Sequence, residues 1–255
     1  MRPLRLVSGT AGFAFAILAW QLIAAGPMAG SALPTATATF TERFSLLPTP
    51  EFWADVGSTV LVALGGFAAA LVTGVVIGIA VATSPLTMHA TRAILEFLKP
   101  IPPIVLLPLV VLVLGPTTDM GLFLVFYGCA LPIIMQTASG VFDVDPVTIA
   151  TARSFSMGRF EVLWRIVLPS AMSYIGTAVR ITVPASLIIA VVAGLLGGGP
   201  GLGNSLLRAQ LSGSQTQLFA YVIALGVLGL LFQAVSEEAE RRVLHWHPSF
   251  RKEAV

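Results

Sequence analysis

The chain has 255 residues, of which 56% are hydrophobic and only 10% charged, and its mean hydropathy is +0.91. This composition lies well outside the range of soluble globular proteins and places most residues in membrane spans, within one integral membrane domain. A net charge of +2 offers no footing for nucleic acid, and the single Cys129, set in an apolar run, reads as a packing residue without an internal disulfide.

Taken in chain order, Arg2 and Arg5 precede an apolar stretch from Val7 to Ala25. A signal peptide begins in the same way, but more spans follow, so an uncleaved first transmembrane helix within residues 1–28 is the simpler reading. Residues 29–56 are expected to form an external loop, with Glu51 to Asp55 as a short interfacial helix holding Trp53 at headgroup level. A second span runs from about Val60 to Ala82, and its Gly74 and Gly78 form a small-xxx-small pair for close helix approach. Next comes an amphipathic stretch in which Glu96 and Lys99 are spaced for a local pair near the membrane edge. The third span is short, and Pro100, Pro102, Pro103 and Pro108 remove backbone donors, so it should be kinked or broken. Broken backbone at membrane depth belongs in protein or beside a wet cavity. Pro102, Pro103 and Pro108 are therefore candidates for lining a solute pathway, a bent packing helix being the alternative.

Gly115 to Asp119 is a turn, with Asp119 placed to cap a fourth span from Met120 to Val141. A polar interruption, residues 143–169, follows. Asp145 can cap a helix with Pro146 at its first position, and that helix should fail near Ser156-Met157-Gly158. A second short helix from Arg159 places Phe160, Leu163, Trp164 and Val167 on one face, spaces Glu161 and Arg165 for an ion pair, and ends at Pro169. Two short helices with three arginines between spans suggest a docking surface for a soluble partner. The fifth span, about Tyr174 to Leu196, carries Arg180 and Pro184, both candidates for the pathway. Arg180 would attract an anionic solute or form a salt bridge that changes in gating; the alternative is snorkelling to the interface. A glycine-rich re-entry or loop leads to a sixth span, about Leu218 to Val235, and a charged tail, residues 237–255. His245 and His247 lack a third ligand, so no metal site is expected.

Ten basic residues (Arg2, Arg5, Arg92, Arg153, Arg159, Arg165, Arg241, Arg242, Arg251 and Lys252) then fall on one side of a six-span topology, against Arg43 and Arg208 on the other. By the positive-inside rule both termini and the polar interruption are cytoplasmic.

The interruption resembles the "EAA" loop of ABC-transporter permeases. Ala150-Thr151-Ala152-Arg153 stands where Glu-Ala-Ala-Arg is expected, Ser156 at the Gly position, and Ile166-Val167-Leu168-Pro169 closes the pattern in register. Leu47-Pro48-Thr49-Pro50, Gly65 to Gly78, Pro100 to Leu109 and Gly201-Leu202-Gly203 are similar, in order and spacing, to motifs of the nitrate/taurine/sulfonate-type branch. The resemblance implies an all-α, six-helix permease of the type I importer class with a MetI-like core, residues 57–236, and coupling helices in 143–169. It implies Ala150, Thr151, Ala152, Arg153, Ser156, Gly158, Phe160, Trp164, Ile166, Leu168 and Pro169 as the ATPase-coupling set. It also implies a bacterial inner-membrane location, an ABC ATPase dimer that holds the ATP and Mg, an extracytoplasmic solute-binding protein, and a second permease subunit. The missing Glu and Gly suggest that this second subunit is a different permease with an intact loop, unless Gly158 supplies the turn two residues late. The permease itself would hydrolyse nothing and bind no cofactor, and its solute would be small, anionic or aromatic. The rivals are an intramembrane enzyme, which would need titratable groups the spans lack, and an ion-gradient-driven transporter or channel, which would place ionisable residues at midplane.

Overall fold

The structure is a computed structural model that describes residues 2–245; Arg251, Lys252 and His247 lie outside them. Its elements are α1 (Arg2–Ala25), α2 (Ala36–Leu46), α3 (Pro50–Thr83), α4 (Pro85–Leu98), a 3₁₀ turn at Pro103–Leu106 and α5 (Leu107–Leu114). They continue as α6 (Thr118–Phe142), α7 (Pro146–Ser154), α8 (Arg159–Val162), a π turn at Leu163–Val167, α9 (Leu168–Gly197), α10 (Leu202–Leu211) and α11 (Gln215–Val243). Among the described residues four helices are long and apolar enough to cross a bilayer: α3, α6, the continuous run Arg159–Gly197, and α11. α4 and the 103–114 segment make a fifth only as a pair bent by 83°. α1 contributes an apolar run of 17 residues, Gly9–Ala25, at the lower limit for a crossing.

Several boundaries differ from the sequence reading, each for a physical reason. Glu51 to Asp55 are not a separate interfacial helix but the first turns of α3, which runs unbroken for 34 residues from Pro50 at its N-terminus. The helix within residues 29–56 ahead of α3 is α2, capped by Thr35 Oγ1, which accepts the Ala38 N–H at 3.3 Å. Thr117, not Asp119, caps α6, taking the Met120 N–H at 3.4 Å; Asp119 sits in the first turn, where the helix dipole favours its charge. The glycine-rich segment is not one loop: residues 198–201 and 212–214 flank a helix, α10, that starts at Leu202. Glu96 pairs with Arg92 at 2.9 Å, one helical turn away on the same face, and not with Lys99.

The core forms where α3 lies against α6. Gly66, Ala70, Gly74 and Gly78 recur every fourth residue along one stripe of α3, all buried. A Cβ added at Gly66, Gly74 or Gly78 would stand 2.6 Å from Val125, 2.8 Å from Ile133 or 2.7 Å from Thr137. The glycine stripe therefore seats α6 of the same chain, whose Val125, Cys129 and Ile133 are fully buried there. α9 packs on both, and Thr182 O accepts a weak bond from the Cys129 thiol at 3.6 Å.

Polar ties join distant segments at the two ends of the bundle. At one end, Thr59 Oγ1 on α3 accepts the Leu202 N–H at 2.9 Å, so α10 is capped from another helix. Beside it Ser205 donates to the Asp55 carboxylate, and Arg208 reaches that carboxylate at 3.5 Å. At the other end, Tyr174 Oη donates to Asp143 Oδ2 at 2.9 Å. Arg180 does not stand alone: it pairs with Glu240 at 3.4 Å and Glu237 at 3.8 Å, joining α9 to α11.

Two expectations follow from this packing. Gly78→Ala should lower the stability of the purified protein by about 1–3 kcal/mol, because the methyl meets Thr137 and the Ile134 carbonyl. Gly57→Ala, with open space around it, should leave the melting temperature unchanged or slightly raised. Arg180→Ala strands Glu240, only 7% exposed, and should cost about 1–2 kcal/mol after allowance for the half-exposed guanidinium. The charge swap Arg180→Glu with Glu240→Arg should recover part of that loss in the same thermal measurement.

Candidate functional site

The polar interruption folds as a helical foot at the α6/α9 end of the bundle. Asp145 starts it: Oδ1 accepts the Val147 N–H at 2.9 Å and Oδ2 the Thr148 hydroxyl at 3.2 Å, with Pro146 in the first turn, where no donor is needed. α7 closes in a Schellman arrangement. The Met157 N–H bonds back to Ala152 O at 3.2 Å and the Ser156 N–H to Arg153 O at 2.9 Å. That motif needs a left-handed residue between the two bonds, and Ser156 supplies it with φ +61°, the sole non-glycine residue at positive φ among those described. Gly158 does not replace it: its φ of −68° and ψ of 158° are extended, and it serves as the N-cap of α8.

Past Gly158 the chain does not stop at Pro169. α8, the π turn and α9 run on as one helix of 39 residues. The Leu168 N–H reaches back five residues to Leu163 O, and this widened turn makes room for a ring that would otherwise strike the carbonyl four residues earlier. Ser170 Oγ donates to Ile166 O at 2.7 Å just beyond. Ile166, Leu168 and Pro169 thus join the foot to the span, and the foot is one short helix plus the exposed start of a long one.

The two faces of the foot differ. Val144, Ala152, Val162 and Val167 are buried against Val141 and Ala171 at the bundle end. On the outer face Val147, Phe155, Phe160 and Trp164 are 69%, 77%, 74% and 55% exposed, with the Phe160 and Trp164 rings 6.0 Å apart. Glu161 and Arg165 pair at 3.1 Å beside them. Ala150, Thr151, Arg153, Ser156 and Gly158 are also exposed, whereas Ala152 faces inward. Arg153 and Arg159 border a cavity of about 950 Å³ between the foot and the α3–α4 junction. Phe155 and Val147 went unnoticed in the sequence because neither fits the apolar rhythm of the helix that follows.

The pathway candidates separate. Pro102 and Pro103 lie in the break between α4 and α5 and line a cavity of about 410 Å³ with Tyr127, Leu131 and Pro132 of α6. Tyr127 Oη donates into the break, 3.0 Å from Leu98 O, which also takes the Ile101 N–H, and 3.3 Å from Ile101 O, which thereby gains a partner. Tyr127 was legible in principle, since a tyrosine hydroxyl in an apolar run needs a partner. Pro108 sits in the first turn of α5, Pro184 inside α9, and Arg180 is tied to α11; none borders this cavity.

Comparison with known proteins agrees with this architecture. The family described as "Binding-protein-dependent transport system inner membrane component" matches residues 71–245. The nitrate import permease protein NrtB of Leptolyngbya laminosa is 30% identical over 184 residues, covering 72% of this chain and 66% of the relative. The taurine transport system permease protein TauC of Escherichia coli (strain K12) is 29% identical over 179 residues, 70% of this chain and 65% of the relative. The chain thus spans just under two thirds of the length of each in these matches. In fold it is similar to a structure of the MetNI methionine ABC transporter in an inward-facing conformation, with a TM-score of 0.66 and 20% identity over 77% of this chain and 99% of that one. The chain belongs to the family of binding-protein-dependent transport system inner-membrane components, the permease subunits of ABC importers.

Proposed function

We propose that this chain forms half of the solute path of an ATP-driven importer and that its foot is the point where a separate ATPase dimer pushes and pulls. The carrying observation is the outer face of the foot. Four apolar side chains, two of them with tilted rings 6.0 Å apart, stand exposed near Arg153 on a surface that none of the described residues covers. Exposed aromatic clusters flanked by arginine are what protein-binding hot spots are made of. The continuous helix behind them, about 58 Å from Arg159 to Gly197, turns a displacement at Phe160 into a tilt of the span. ATP and Mg bind on the ATPases; this chain contributes stiffness, not chemistry.

The basic-residue distribution supports an orientation with the foot and both termini in the cytoplasm of a bacterial inner membrane. Asp55, Arg208 and α10 then lie on the outer side, where a solute-binding protein would deliver its cargo. Relatives named for nitrate, taurine, aliphatic sulfonates and bicarbonate support a small anion as solute. A second permease completes the path. The Schellman turn closes on Ser156 without glycine, so two copies of this chain can fill both halves, as can this chain with a different permease. Recovery of untagged copies with a tagged one separates the two cases.

Affinity purification from native membranes tests the foot. Phe155→Asp with Trp164→Ala should lower ATPase recovery by about tenfold or more while permease yield holds, since such anchors dominate interface energy. Equal recovery would defeat the assignment. Ser156→Val, a β-branched residue at positive φ, should cost about 1–2 kcal/mol locally and reduce ATP-driven uptake, whereas Ser156→Gly should preserve it.

A further inference from the structure

Lys99, which the sequence places near the membrane edge, is exposed and borders two cavities beside α6. Lys99 follows the last turn of α4, at the 83° break. Glu96, its expected partner, is taken by Arg92, and among the described residues Lys99 has no ion pair. Its depth can be read from α6. The cavity it shares with Pro102 and Pro103 is walled by Tyr127, Leu131 and Pro132, which are the middle of the 25-residue α6. A second cavity, about 290 Å³, runs from Phe142 at the end of α6 along Met88 and Arg92 to the same lysine. Lys99 and Met135 border both. The two cavities form a groove from the foot end of the bundle to mid-span, with Lys99 where they meet.

An unpaired ammonium at that depth costs about 2.5–3.5 kcal/mol unless water or a counter-charge meets it. The carboxylate that lines the second cavity, Glu96, is paired with Arg92 of the same helix and not with Lys99. Nor does the break offer competing donors: Pro100, Pro102 and Pro103 have no N–H, and the Tyr127 hydroxyl is already engaged with backbone carbonyls. What remains is one cation with three donors against an apolar wall of Leu131, Pro132 and Met135. That combination repels cations and gives a neutral polar solute too few partners. It suits a small monoanion, bare or with a short apolar body.

We propose that Lys99 is the anion-binding residue of the solute path, holding a transported small anion at mid-span. The proposal rests on the permease reading above and adds to it the residue that meets the anion and the depth at which it is held.

The test uses the assembled complex of this chain with its ATPases in phosphatidylcholine nanodiscs. Only one other lysine, Lys252, occurs in the chain, so acylation by an uncharged reagent can be followed site by site by mass spectrometry. Nitrate or benzenesulfonate should slow acylation of Lys99 several-fold and leave Lys252 unchanged, while uncharged glycerol should do neither. Both anions should also raise the melting temperature of the native complex and of Lys99→Arg, but not of Lys99→Gln. Equal labelling with and without the anions, protection by glycerol, protection that requires anionic lipid in place of the solute, or a Lys99 unreactive in every condition would overturn the assignment. ATPase recovery and hydrolysis are read on the same sample. Their loss would instead defeat the permease reading, and their retention beside an unprotected Lys99 defeats only the anion site.

Discussion

Much of this structure turns on a single missing atom, the amide hydrogen that proline lacks. In a bilayer each backbone group must find a partner within the protein, so every proline in a span needs a local answer. Isolated prolines receive a mild one. Pro132 and Pro184 sit inside α6 and α9 without ending either helix, and Pro169 is passed by a π turn whose longer bond, Leu168 to Leu163, keeps the helix intact. Where prolines cluster, at 100, 102 and 103, no such repair is possible and the chain bends by 83°. There a side chain from another helix, Tyr127, donates towards Ile101 O and Leu98 O, the latter also bonded by the Ile101 N–H. One repair yields a rigid rod from foot to far end, the other a cavity at mid-span. A continuous helix and a cavity are thus two outcomes of the same deficit.

The remaining parts hold these two features in register. The glycine stripe of α3 brings its backbone close to α6, and α9 packs against both, so the rod is bedded in the tightest part of the bundle. The polar ties fix the ends. Thr59 caps α10 from across the fold, and Arg180 with Glu240 fastens α11 to the middle of the rod. A force applied at Phe160 would be felt at this ion pair before it reached the far end. The foot combines an inner face that is ordinary core with an outer face that none of the described residues covers.

By itself the sequence determined the elements governed by local rules: the all-helical membrane class from composition, the Asp145 cap with Pro146, the end of α7 near Ser156, the Glu161–Arg165 pair, and the disruption of the helix around Pro102. Each depends on neighbours a few residues apart, so spacing suffices to read them. The fate of Pro169 was decided elsewhere, because whether a proline ends a helix depends on what packs around the turn before it. The same holds for the partner of the glycine stripe, for Thr59 as a remote cap, for the pairing of Arg180 with Glu240, and for Lys99, whose depth is measured only against α6. These are contacts between residues tens to well over a hundred positions apart. No local pattern encodes them, since they exist only once the helices have chosen their neighbours.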